Sequence, residues 1–286
     1  MRKWLSLLAE LGKIRITVAV SLSTTLGYIM YSERLDGGIV VPVLGLWLLA
    51  MGSAALNHYQ ERDLDARMDR TRSRPIPSGR ISAQRVLLIA FLWSALGAVL
   101  LYFSSGMLAM QLGLLALIWY NAIYTPLKQK TPFAVVPGSA IGAFPPMVGW
   151  VSAGGSLAHP KILMTAFFFF IWQIPHFWLL LQRYGNQYEK AGFPTLGKIY
   201  SDIQIRRITF IWTFAAALSA LMIPAFGGTR YLLTGFVLFA GSALLVVQSR
   251  HQLKALANEA TLRRSFLFIN FFLLFVMLVL GTDALI

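Results

Sequence analysis

Residues 39–74 read IVVPVLGLWLLAMGSAAL followed directly by NHYQERDLDARMDRTRSR. The first eighteen residues carry no charge, and the next eighteen hold four acids and five arginines. As a helix the uncharged run covers about 27 Å, close to the ~30 Å hydrocarbon thickness of a bilayer. The charge that follows therefore belongs where a helix leaves the lipid.

Similar runs fill the rest of the chain. Apolar stretches near 16–31, 39–58, 86–103, 107–125, 134–152, 161–180, 208–226, 231–249 and 265–283 predict nine crossings. The expected fold is all-α, a single polytopic membrane domain over 1–286. Its nine transmembrane helices are expected to surround a central cavity that opens to the cytoplasmic side. A composition of 57% hydrophobic and 13% charged residues excludes an ordinary soluble domain. Cysteine is absent, which removes disulfides and thiolate metal sites. The first apolar run has no small-residue cleavage site, so no cleaved leader is expected, and a prokaryotic cell membrane is the expected location.

The net charge of +14 is explained by sidedness rather than by nucleic acid. Nine crossings put 22 of the 25 Lys and Arg residues on the side of the amino terminus, and only Arg34, Lys161 and Arg230 on the other. The amino terminus is then cytoplasmic and the carboxyl terminus outside. Arg2, Lys3, Arg250, Lys254, Arg263 and Arg264 read as topology determinants and contacts to anionic lipid in the surrounding bilayer. Orientation needs no acids, yet eight of the eleven lie on that same side, four of them between 61 and 69.

Asn57, Glu61 and Asp65 are spaced by four and fall within an arc of about 80° on a helix. Asp69 extends the spacing if the helix persists. Converging carboxylates need a cation, and hard oxygen donors suit Mg²⁺ bridged to phosphates. Arg70, Arg72, Arg74 and Arg80 follow, with guanidinium forks matched to diphosphate oxygens. The same charges also fit a self-neutralised helix end in which Arg62 and Arg67 pair with Asp63 and Asp69.

The stretch as a whole resembles the first signature of the UbiA superfamily of intramembrane prenyltransferases, Asn-x-x-x-Asp-x-x-x-Asp. DLDARMDRTRSRPIPSGRIS is similar to its protoheme IX farnesyltransferase (haem O synthase) branch. YNAIYTPLKQKTP (120–132), GSAIGAFPPMVGW (138–150) and IWQIPHFWLLLQRYGNQYEKAGFPTL (171–196) agree in order. The resemblance covers about 50–200 and implies transfer of a farnesyl group from farnesyl diphosphate to a vinyl group of haem B, with Mg²⁺ and no redox cofactor. Two positions depart from the pattern. Glu61 stands where the family usually has Asp. In the second signature, Gln187 replaces the Asp of Asp-Tyr-x-x-Ala-Gly, so that either one Mg²⁺ suffices, or Glu189 or Asp202 stands in, or the chain is a non-catalytic relative.

The resemblance implies roles residue by residue. Asn57, Glu61 and Asp65, with Glu189, are the expected metal ligands. Arg70, Arg74 and Lys128 join them in catalysis, and Lys130 adds charge for the diphosphate. Tyr120, Tyr124 and Trp172, with Phe144 and Trp150, are candidate π faces for an allylic cation, and Tyr188 a substrate contact. His176 is expected to meet the haem, and His58 to stand behind the site. The GAFPP stretch is expected to wall the cavity, with close helix packing by its small residues as the other reading. A downstream haem-modifying enzyme is the implied partner for the product. Another aromatic acceptor, such as a quinone precursor or chlorin, and a non-catalytic haem- or prenyl-lipid-binding relative are the competing functions. A transporter fits poorly, because its charge would lie near the midplane.

Overall fold

In the computed structural model, residues 2–253 and 259–286 are described, and among them all regular structure is helical. Lys254 lies outside the described residues. A short amphipathic helix, α1 (Arg2–Leu11), precedes the long ones. It buries Leu7 and Leu11 against Ala55, Val86 and Ala90 and leaves Trp4 and Leu5 exposed. Then come α2 (Ile14–Ser32), α3 (Val40–Gln60), the single turn α4 (Arg62–Asp65) and α5 (Ala83–Ile118).

A π-helical turn, Trp119–Tyr124, leads into α6 (Thr125–Leu127), α7 (Val135–Gly138) and α8 (Ala140–Ser152). The chain ends with α9 (Pro160–Lys190), α10 (Asp202–Ala225), α11 (Leu232–Ser249) and α12 (Glu259–Leu285).

Among the described residues, eight helical segments are long and apolar enough to cross a membrane. One of them, Ala83–Leu127, has 45 residues, about 65 Å of helix, twice what a crossing needs. It breaks at Gly106, whose φ of 81° and ψ of −178° are closed to other side chains. Leu101 and Gly113 then come together, the Leu101 Cδ1 lying 2.9 Å from where a Cβ on Gly113 would be. In a straight helix these residues would be about 18 Å apart. The segment is a hairpin of two crossings, and the nine-helix expectation is met in this form.

Small residues set the closest helix approaches, as expected in lipid, where packing replaces the hydrophobic drive. A Cβ on Gly97 of α5 would lie 2.5 Å from the Gly45 carbonyl of α3. One on Gly149 of α8 would lie 1.9 Å from the Thr24 carbonyl of α2. Gly142 likewise admits the Gln173 side chain of α9. The GAFPP stretch packs against α2 and α9, with Pro145 and Pro146 buried, as the close-packing reading expects.

The two ends of the bundle differ. At one end Arg230 pairs with Glu33, and Asp283 accepts from the backbone N–H groups of Arg230 (2.8 Å) and Tyr231 (3.2 Å). Those bonds cap the start of α11. Trp150 belongs to this end: it packs on Tyr31 and His159 and donates to the Ser156 carbonyl. It is not a wall of the polar site, contrary to the sequence expectation. The opposite end gathers the acids and bases of 57–80, 120–130 and 183–192.

Candidate functional site

The site begins where α3 ends. Glu61 leaves helical geometry (φ −102°, ψ 4°), yet its N–H still donates to the Asn57 carbonyl, and that of Asp65 to the Glu61 carbonyl. The spacing of four survives the break, and all three side chains turn inward: Asn57 is 1% exposed, Glu61 5% and Asp65 1%. Asp69 does not follow them. It is exposed and pairs with Arg72, as Asp63 does with Arg62. The self-neutralised reading holds for these outer acids, with Arg72 in place of Arg67 as the partner of Asp69.

Each inward donor is met by a cation from a different part of the chain. Lys13, between α1 and α2, donates to Asn57 Oδ1 at 2.6 Å. Lys128, just past α6, forms an ion pair with Glu61. Arg74 reaches both Asp65 oxygens at 2.7 Å. Arg80 stands outside: it forks onto Glu10 of α1 at 2.8 and 2.9 Å and is not free for phosphate.

Neighbouring amides hold this arrangement. Asn57 Nδ2 donates to Thr125 Oγ1 at 3.2 Å. Asn121 accepts from Ser53 at 2.6 Å and donates to Gln60 Oε1 at 3.0 Å. The face of α3 that carries Ser53, Asn57 and Gln60 therefore grips the π-turn, a distortion frequent at functional sites. That turn presents Tyr120 and Tyr124 beside the cations: the Lys13 ammonium lies 5.9 Å from the Tyr120 ring and Lys128 5.4 Å from Tyr124.

From there aromatic rings continue inward. Tyr120 meets Tyr124 (5.7 Å), Tyr124 meets Phe177 (5.8 Å), and Phe177 meets His176 (5.6 Å). His176 lies between Trp172 (4.8 Å) and Phe266 (5.0 Å). Trp172 donates its indole N–H to the Ile269 carbonyl, so its ring orientation is fixed. Phe144 stays apart, against Trp119.

The second polar stretch arrives on α9. Tyr188 OH accepts from Arg70 at 3.1 Å, and Arg70 also covers the Tyr184 ring. Leu64 and Met68 pack on Tyr188, Ala191 and Phe193, which joins the two loops. Glu189 turns the other way. It binds Thr195 and lines a separate cleft of about 240 Å³ with Asn186, Asp202 and Arg206. Among the described residues no three Asp, Glu, His or Cys side chains converge on a metal position. Glu189 is therefore not brought to Glu61 and Asp65, which corrects the expected ligand set, and Asp202 faces that same cleft. The reason is rotational: successive helix residues differ by about 100°, so Tyr188 and Glu189 face different hollows. Gln187 leaves a buried Oε1 without a hydrogen bond. Lys130 is exposed and also lies off the cluster.

Lys13, Thr125, Asn121 and Phe177 were missed from the sequence. Lys13 had a signal only as one more cation before the first crossing.

Charge coupling is strong here. Burial pushes Glu61 up, but Lys128, Lys13 and Arg74 outweigh it and hold the carboxyl below its ordinary value. Burial pulls Lys128 down, and the Glu61 carboxylate more than reverses this. Lys13 has the opposite fate: burial first, then the Arg74 charge, push it from 10.5 down to about 7. Between those values the unfolded chain binds more protons at Lys13 than the folded one, so stability rises with pH. Thermal unfolding in detergent is expected to show that rise across the window, and Lys13→Met to flatten it. An identical slope in the variant would contradict this.

Two carboxylates and an amide, met by cations and backed by aromatic rings, lie together at this end of the bundle. The chain belongs to the UbiA prenyltransferase family, which it matches over residues 18–275, and it is an integral membrane prenyltransferase. Among its relatives, protoheme IX farnesyltransferase of Geobacter sulfurreducens is 37% identical over 74% of this chain and 78% of its own length. The enzyme of that name from Oleidesulfovibrio alaskensis is 33% identical over 97% of this chain and 96% of its own. The fold matches a digeranylgeranylglyceryl phosphate synthase (TM-score 0.80, 16% identity, covering 100% of this chain and 99% of the other). It also matches a UbiA homologue from Archaeoglobus fulgidus bound to GPP and Mg²⁺ (TM-score 0.70, 14% identity, covering 96% and 99%).

Proposed function

We propose that this chain transfers the farnesyl group of farnesyl diphosphate to a vinyl group of haem B, giving haem O. The observation that carries the reading is the meeting of Asn57, Glu61 and Asp65 with Lys13, Lys128 and Arg74 beside the Tyr120–Tyr124–Phe177 rings. The names of the relatives support the substrates.

The donor set fits Mg²⁺. The oxygens are hard, buried and already balanced by positive charge, and Mg²⁺ usually takes one or two carboxylates and leaves the rest of its shell to water and substrate phosphate. Asn57, Glu61 and Asp65 would hold it. Bound there, the ion supplies neutralisation of the charge that grows on the departing diphosphate.

The chain's own groups do the rest. Arg74, Lys128 and Arg70 receive the diphosphate oxygens as the farnesyl C1–O bond breaks and its electron pair leaves with the diphosphate. Tyr120, Tyr124 and Phe177 face the allylic cation and stabilise it through their π clouds. The haem vinyl group supplies its electron pair to form the new C–C bond. Water then adds to the resulting cation and loses a proton, which leaves a hydroxyethylfarnesyl substituent. His176, between Trp172 and Phe266, orients the porphyrin. In this reading the polar end faces the cytoplasm of a prokaryotic cell membrane, which the distribution of Lys and Arg supports, and the product passes to a downstream haem-modifying enzyme.

The test is incubation of membranes carrying the chain with farnesyl diphosphate, Mg²⁺ and haem B, followed by mass spectrometry. A farnesylated, hydrated porphyrin is expected. A prenylated quinone precursor or chlorin with no change in haem would move the acceptor. Binding of haem without any product would favour the non-catalytic alternative.

A further inference from the structure

Pro126 lies in the first turn of α6, directly after the π-turn. Inside a continuous α-helix its ring would strike the carbonyl four residues back, that of Ala122. The chain widens instead: the Thr125 N–H donates to the Tyr120 carbonyl, five residues back. Thr125 is then lost to the Asn121 carbonyl, and the next residue in the wide register is a proline, which has no N–H. Gln60 of α3 supplies the donor, its Nε2 lying 3.0 Å from the Asn121 carbonyl. The Asn121 side chain closes the contact from its own side. Its Nδ2 donates to Gln60 Oε1 (3.0 Å) and to the Ser53 carbonyl (3.1 Å), and its Oδ1 accepts from Ser53 Oγ at 2.6 Å. Asn121 is 3% exposed, so these bonds are made away from water.

This lock fixes the segment that follows it. One extra residue in the turn rotates every later side chain by about 100° relative to the helix before it. Thr125, whose Oγ1 accepts from Asn57, and Lys128, which pairs with Glu61, both come from that rotated segment. The turn is held from its other side as well. Trp119 donates its indole N–H to the Pro137 carbonyl at 2.7 Å, and Tyr124 lies on Gly138, leaving no room there for a Cβ.

We propose that Asn121, backed by Ser53 and Gln60, is a positioning residue: it holds the π-turn in its wide register, and through that turn sets where the Lys128 ammonium stands. Asn121 itself touches no substrate. The inference rests on the reading of Lys128 as a diphosphate-binding group.

Two variants test it. Asn121→Leu keeps the side-chain volume and removes its donors and acceptor. Gln60→Leu, at an exposed residue, removes only the bonds from one neighbour and is the milder change. With farnesyl diphosphate, Mg²⁺ and haem B, both are expected to lower kcat by roughly 10- to 100-fold, the scale of a misplaced group. Both are also expected to raise KM for farnesyl diphosphate by about fivefold. A smaller folded fraction would lower kcat and leave KM alone. Asn121→Leu combined with Lys128→Met is expected to be no slower than Lys128→Met by itself, since the same ammonium is lost either way. Losses that multiply would overturn the positioning role.

A second readout needs no turnover. Acetic anhydride labelling of the full chain in detergent, read by peptide mass spectrometry, compares Lys128 with the exposed Lys130. Lys128 has a side chain 20% exposed and paired with Glu61, and is expected to label slowly in the native chain. In either variant its labelling relative to Lys130 is expected to rise about fivefold, as the loss of a hydrogen bond allows. Unchanged labelling in both variants would overturn the proposal. The expected labelling with no prenylated product from the native chain would remove the prenyl-transfer reading and leave the lock standing.

Discussion

Asp65→Asn is expected to lower prenyl transfer by about 10³-fold, the scale on which single preorganised groups at developing charge act. Asp65 is 1% exposed, and both its oxygens accept from a single nitrogen, Arg74 Nη1. Its loss removes a proposed metal donor and also frees Arg74, so a fall in activity alone would not separate catalysis from folding. The exchanged pair Asp65→Arg with Arg74→Asp separates them. It restores an ion pair at the same place and is expected to recover thermal stability yet stay inactive. Recovery of activity in the exchanged pair would show that only the pair, and not the position of the carboxylate, matters.

Lys128→Met is expected to combine the largest loss of stability with a loss of transfer of about 10²-fold or more. Glu61 would remain as a charge in an enclosed place, and breaking such a pair costs about 3–5 kcal/mol. Adding Glu61→Gln removes the orphaned charge. The double variant is expected to regain most of the stability and none of the activity, a coupling measurable in a double-mutant cycle. A double variant as unstable as Lys128→Met would contradict the pairing.

The membrane fold was legible because uncharged runs of crossing length have no other stable home. Even the hairpin at Gly106 showed as two apolar runs parted by Ser104, Ser105 and Gly106. The acid set was legible too, since spacing by four persists through one helical break at Glu61. What the spacing could not carry was contact across distance. Lys13 meets a residue 44 positions away, and nothing local distinguishes it from Lys3 or Arg15 as a topology cation. Glu189 failed for a different reason: on α9 a one-residue step decides which hollow a side chain enters, and Tyr188 took the inward place. The prolines of GAFPP signalled irregular backbone, but the glycines beside them serve close helix contact.

The most direct measurement is a structure of the chain with Mn²⁺ and a non-reacting farnesyl thiodiphosphate. The account predicts anomalous metal density against Asn57, Glu61 and Asp65, phosphates on Arg74, Lys128 and Arg70, and the tail along Tyr120, Tyr124 and Phe177. Diphosphate and metal seated instead in the cleft of Glu189, Asp202 and Arg206, with the Arg74–Asp65 and Lys128–Glu61 pairs unbroken, would contradict it.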